Sequence, residues 1–130
     1  MVYRKGGVVI RSPYECSCLE QVRREIDRID REIVYSLRLR AEYVEAAAKY
    51  KRTDDDVRAD GRVTAMLAER REWAECDGVS ADLVERLYRL IVAHGIAHEQ
   101  GLVQARREED NEAESEPAFV NRRETAEART

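Results

Sequence analysis

The chain lacks any apolar run approaching the roughly 20 residues that a membrane-crossing helix needs, and Val8 to Ile10, near its start, is far shorter than the core of a secretion signal. A cytoplasmic location is therefore the expectation. Proline and glycine are scarce, two and six in 130 residues, which disfavours a sheet-rich fold with its many tight turns. The three cysteines, Cys16, Cys18 and Cys76, are odd in number, and the C-x-C pair lacks the spacing of a metal or redox motif, so they read as reduced thiols. There is no excess of positive charge. A formal net charge of −4 argues against a nucleic-acid partner, since phosphate binding needs a net basic face. It leaves room for a local basic pocket that takes a small anion.

Metal and nucleophile signals are also thin. The two histidines, His94 and His98, are spaced i, i+4, but there is no H-E-x-x-H order and no convincing third ligand. Asp54 to Asp56 lacks the calcium-loop spacing and reads as loop and capping residues. Cys76 has no histidine partner, and Trp73 reads as a core or helix-packing aromatic. No metal and no cofactor is expected.

What the chain has is charge and helical periodicity. Charged residues make up 38% of it, and its length suits one domain. Residues 1–16 carry Gly6, Gly7 and Pro13 without a sustained period and read as an irregular arm. Ser17 and Glu20 have capping-box spacing, and Leu19, Val22, Ile26, Ile29, Ile33, Leu37, Val44 and Ala47 then recur at steps of three, four or seven. One helix from about Leu19 to Lys51 explains this stripe. It would be about 50 Å long, too long to bury its apolar face within so small a monomer.

After a polar break at 53–60, Val63, Met66, Leu67, Arg70, Trp73 and Ala74 trace a shorter helix stopped by Asp77-Gly78. Ser80 is a good N-cap for a third helix, whose face runs through Leu83, Val84, Leu87, Tyr88, Ile91, Val92 and Ile96. The helical domain spans 17–107, and 108–130 is an acidic, apolar-poor tail expected to be disordered or a frayed helix extension. The fold class is all-α.

Some charges fall on the apolar stripes. Arg23 lies between Leu19 and Ile26, Arg40 between Leu37 and Val44, and Lys51 four residues after Ala47. Inward cations need buried acidic partners or a bound anion, unless their long stems carry the charge outward. Arg40 and Lys51 would stand roughly 16 Å apart along one helix, close enough to bridge around a small ligand. Arg23 would be roughly 26 Å from Arg40, so it joins such a site only from a second, antiparallel copy. On the third helix Glu99, between Ile96 and Val103, is placed on the inward face. It is read as an ion-pair partner of Arg40 or Lys51, or as a ligand contact that donates a hydrogen bond once protonated.

These residues bring a family into view. Leu19 to Asp30 (LEQVRREIDRID), Arg40 and Ala47-Ala48-Lys49-Tyr50-Lys51 resemble the first helix of all-helical chorismate mutases. Arg62-Val63, Ala65-Met66-Leu67, Glu69-Arg70 and Trp73-Ala74-Glu75 resemble most closely the isochorismate-pyruvate lyases of salicylate biosynthesis. The similarity covers about residues 15–100. It implies the type II fold, an intertwined antiparallel homodimer of three-helix chains with two shared sites. By the same resemblance, the partner chain's copy of Arg23 holds one substrate carboxylate, Arg40 grips the other, Lys51 contacts the enolpyruvyl ether oxygen, and Arg62 joins the substrate-binding set. Glu99 falls where the lyases and many mutases carry glutamine and some mutases glutamate. Ala59 and Val63 align with the acidic residues that meet the ring hydroxyl of chorismate in typical mutases, and the lyases are apolar there too. Gly95 stands where a larger side chain is usual.

The implied activity is the pericyclic elimination of pyruvate from isochorismate to give salicylate. Such a reaction needs no nucleophile, metal or redox cofactor; clamped carboxylates and stabilised charge on the ether oxygen suffice. Chorismate mutase and aminodeoxychorismate mutase activities are the alternatives within the family. A catalytically inactive helical interaction module is the alternative of another class, and it would not bind a bicyclic dicarboxylate transition-state analogue.

Overall fold

A computed structural model of the chain describes residues 3–5 and 8–115, with side chains from residue 11 onward. Among the described residues the regular structure is helical apart from one short strand pair at the N-terminal end. It divides into two units, residues 1–50 and 51–130.

In the first unit, β1 (Tyr3–Lys5) pairs antiparallel with β2 (Val8–Ile10), Arg4 opposite Val9. This corrects the expectation of an irregular arm: three-residue strands are too short to show a period of two, and the Gly-Gly dipeptide in the sequence between them was the available hairpin signal. A 3-10 turn at Pro13–Glu15 follows, with the Ser12 hydroxyl accepting from the Tyr14 N–H. The Arg11 N–H donates to Glu25 Oε2 at 3.1 Å, which ties the arm to the first long helix.

That helix, α1 (Leu19–Ala48), is an unbroken 30 residues. Its N-cap is Cys18, which makes no side-chain cap bond. Ser17, expected to cap, instead turns its N–H and hydroxyl to Gln21 Oε1, at 2.9 and 3.1 Å. Leu19, Ile26, Ile29, Ile33 and Leu37 form the anticipated stripe, and each is 41–61% exposed in the single chain. The helix stops three residues before Lys51, so the expected end at Lys51 is corrected.

The second unit begins with α2 (Asp54–Arg58), a single helical turn in the stretch read as a polar break. Thr53 and Asp56 form a full capping box, the Thr53 hydroxyl accepting from the Asp56 N–H and the Asp56 carboxylate accepting from the Thr53 N–H. With aspartate rather than glutamate or glutamine at the third position, the box escaped the pattern. Backbone N–H donors from Arg52 and then Thr53 hold the Asp56 carboxyl below the usual carboxylate range. The stabilisation this cap lends is therefore present above that range and lost as pH falls through the lowered value.

Helices α3 (Asp60–Asp77) and α4 (Ala81–Ser115) pack on each other, and α2 also contacts α4. Their link follows the sequence closely. Gly78 is left-handed (φ 70°), with Val79 N–H bonded to Ala74 O and Gly78 N–H to Glu75 O, a Schellman stop. The Ser80 hydroxyl then accepts from the Leu83 N–H. Among the described residues of this unit, Val57, Leu67, Ala74 and Val103 are the buried apolar ones. Arg71 bonds both Asp82 and Glu85, at 3.0 and 2.8 Å, across the helix pair.

Trp73 is not core: it is 52% exposed, with the Arg70 guanidinium 4.6 Å from its ring centroid and 5.5 Å from that of Tyr88. Helix α4 continues through Ser115, so residues 108–115 of the tail, expected to be disordered or a helix extension, extend the helix; residues 116–130 lie outside those described.

Ala59 joins α2 to α3 with φ 40° and ψ 52°, a left-handed conformation that a Cβ makes costly by about 1 kcal/mol. Ala59→Gly is expected to raise unfolding stability by about 0.5–1 kcal/mol in urea titration. A loss instead would show that packing of the half-buried methyl group outweighs the backbone strain.

Candidate active site

Glu99 projects from the middle of α4 and is 5% exposed, the one buried carboxylate among the described residues. A carboxylate in that position needs a cation. Lys51 supplies it, with Nζ 2.6 Å from Oε2 and its side chain 24% exposed. The contact is an ion pair between a buried carboxylate and a partly exposed ammonium. Of the two partners anticipated for Glu99, the structure brings Lys51 to it.

Lys51 is reached from a different direction than the helical stripe implied. It lies in the non-helical segment between α1 and α2, so the 16 Å axial spacing to Arg40 does not apply. The capping box holds this segment from its C-terminal side: Arg52 N–H and Thr53 N–H both donate to Asp56 Oδ2, at 3.0 and 3.2 Å. From α4, Gln100 Nε2 donates to Asp54 Oδ1 at 2.8 Å. The Arg58 hydrogen bond, and after it Gln100, keep the Asp54 carboxyl below the usual range.

The remaining predicted residues are placed as follows. Arg23 is exposed and Arg40 half-buried, both on the unbroken helix α1. One copy of α1 keeps them roughly 26 Å apart and does not bring them together. Arg62 is exposed on the first turn of α3. His94 and His98 are exposed on α4, and among the described residues no group of three His, Cys, Asp or Glu side chains is placed to hold a metal ion. No described helix is long and apolar enough to cross a membrane. Two residues went unnoticed in the sequence: the Arg106 and Arg107 guanidinium groups donate to the Lys51 and Arg52 carbonyl oxygens. No local pattern signals such contacts, since each partner is 55 residues away in sequence.

Three long helices, with one buried carboxylate on α4 paired to a lysine from the segment before α2, define an all-helical protein with a charge pair at the edge of its interior. The chain belongs to the chorismate mutase type II family, whose sequence profile matches residues 22–100. It is 41% identical over 90 residues to an isochorismate pyruvate lyase of Pseudomonas aeruginosa, covering 69% of this chain and 89% of that one. It is also 38% identical over 82 residues to the T-protein of Haemophilus influenzae, covering 62% of this chain but only 22% of that longer protein.

The pair is unequal in burial, which makes its loss directional. Lys51→Met strands a buried carboxylate, whereas Glu99→Gln leaves an ammonium that can turn to solvent. Lys51→Met is expected to cost about 1–3 kcal/mol more than Glu99→Gln in urea unfolding at neutral pH. The reverse order would mean that the lysine, not the carboxylate, is the group the fold can spare.

Proposed function

We propose that the protein is an isochorismate-pyruvate lyase, and that it eliminates pyruvate from isochorismate to leave salicylate. The observation that carries this reading is the pairing of Lys51 with the buried Glu99 in a chain that is 41% identical to a lyase and spans 89% of it. In the reaction the ether bond between ring and enolpyruvyl group breaks, a ring hydrogen moves to the enolpyruvyl methylene carbon, and the ring becomes aromatic. No group on the protein need bond to the substrate. Arg40, and Arg23 from a second copy, clamp the two carboxylates in the reactive conformation with charge-assisted hydrogen bonds. Arg62 adds positive charge for the dicarboxylate, and Lys51 meets the negative charge that develops on the ether oxygen.

The protein acts as an antiparallel homodimer on this reading. The exposed stripe of α1 supports it, because five large aliphatic side chains in one row are too much apolar surface to leave in water. The spacing of Arg23 and Arg40 supports it too. Residues 17–107 make up the catalytic domain, and the acidic stretch from 108 onward contributes nothing to the site. Chorismate-to-prephenate rearrangement is the second reading, favoured by the family match.

Incubation of the purified protein with isochorismate and with chorismate, and identification of the products by mass, tests both. Salicylate with pyruvate is expected; prephenate alone would move the assignment to the second reading, and no product from either substrate would sink both. Arg40→Ala is expected to sediment as a dimer like the parent, with turnover reduced by about a hundredfold or more. Full activity in a dimeric Arg40→Ala protein would remove the clamp from the mechanism.

Glu99 stands where glutamine would donate a hydrogen bond to the ether oxygen. As a carboxylate paired with Lys51 it repels the charge that develops there. Glu99→Gln, a permanent donor, is expected to raise turnover of isochorismate at neutral pH. Turnover equal to or below that of the parent would take Glu99 away from the ether oxygen.

A further inference from the structure

Lys51 is gripped at both ends. Its ammonium lies against Glu99, and its carbonyl oxygen accepts from the Arg106 guanidinium; the next carbonyl, Arg52, accepts from Arg107. Both arginines sit on α4, about two turns beyond Glu99 and past residue 100, where the family match ends. The carbonyls they take are ones no secondary structure can satisfy. Helix α1 ends at Ala48, and the first carbonyl of the α2 ladder is that of its N-cap, Thr53, so the Lys51 and Arg52 carbonyls belong to neither hydrogen-bonded ladder. A guanidinium on a carbonyl is a charge-assisted bond, stronger than a neutral one and planar in its donors.

Lysine has four rotatable side-chain bonds, so Glu99 alone orients the ammonium without fixing where the residue begins. Helix α4 does both: Glu99 takes the tip of Lys51, and Arg106 takes its backbone from the same rigid rod. The distance between carboxylate and guanidinium along α4 then sets the reach of the lysine.

We propose that Arg106, supported by Arg107, is a positioning residue that fixes the backbone of Lys51 and through it the place of the ammonium. The catalytic consequence rests on the lyase reading of Lys51, but the hold on residues 51–53 does not.

The test uses Arg106→Ala and Arg106→Lys in the full chain, with Arg106→Gln, which keeps an N–H donor, carrying the comparison if the alanine variant fails to fold. Hydrogen exchange needs no substrate. Arg106→Ala is expected to speed exchange of the amides of residues 51–56 by about tenfold while those of α3 stay unchanged, and lysine is expected to restore part of the protection. Unchanged exchange at 51–56 overturns the inference whatever the protein catalyses, as does an equal rise through α3, which would make Arg106 a general support of the fold.

Turnover of isochorismate gives the second readout. Arg106→Ala is expected to lower kcat about tenfold with KM within about twofold, because Lys51 acts on charge that appears only as the bond breaks. On a Lys51→Ala background the same change is expected to cost nothing further, and additive losses would overturn the positioning role. Full turnover by Lys51→Ala alone would defeat the lyase reading of Lys51, while the exchange result would still decide whether Arg106 holds the segment.

Discussion

A buried carboxylate is the constraint around which the second unit is arranged. Glu99 is 5% exposed on a helix whose neighbouring inward residues are apolar, and leaving its charge uncompensated there is expensive. The compensation comes from a lysine almost fifty residues earlier, at the start of the unit, and several local features serve that meeting. Helix α1 stops before Lys51, so the lysine is free of helical geometry. The Thr53–Asp56 capping box turns the chain at once into α2, and the left-handed Ala59 turns it again into α3. Gln100, Arg106 and Arg107, all on α4, take hold of the same short segment. One helix thus carries the acid and most of the groups that steer its partner.

The first unit presents the opposite physics. Helix α1 is regular, its apolar stripe is in register from end to end, and the stripe lies in water when the chain is alone. A stripe of that length is stable as a helix chiefly when something packs along it. Its arginines make the same demand, because a straight helix keeps Arg23 and Arg40 roughly 26 Å apart. Packing and chemistry therefore call for the same missing surface, which is why catalysis and association form one proposal.

Much was legible along the chain because it depends on neighbours three or four residues apart. The three long helices follow from apolar spacing, and the Gly78 stop and Ser80 cap from residue type alone. Glu99 could be placed inward from the residues on either side of it, and Lys51 was one of its two anticipated partners. Legibility failed where competing local signals were close in strength. Ser17 had the spacing of a cap, but Gln21 drew its hydroxyl and N–H instead. The apolar rhythm that reaches Ala47 predicts a helix as far as Lys51, although the Thr53 box requires a new start. The strand pair was too short to have a period, and Trp73 found a guanidinium rather than a core.

The sequence by itself determined the all-helical class, the family and the set of charged residues on which chemistry can rest, because periodicity, caps and motif spacing act within a turn or two of the chain. Only the tertiary structure decided which of those charges meet. That Lys51 pairs with Glu99, and that Arg106 and Arg107 close on the backbone beside it, depends on contacts across about fifty residues. Whether such a contact forms is set by the desolvation of one buried carboxylate and the unmet carbonyls of one short segment, and neither exists until the helices have packed.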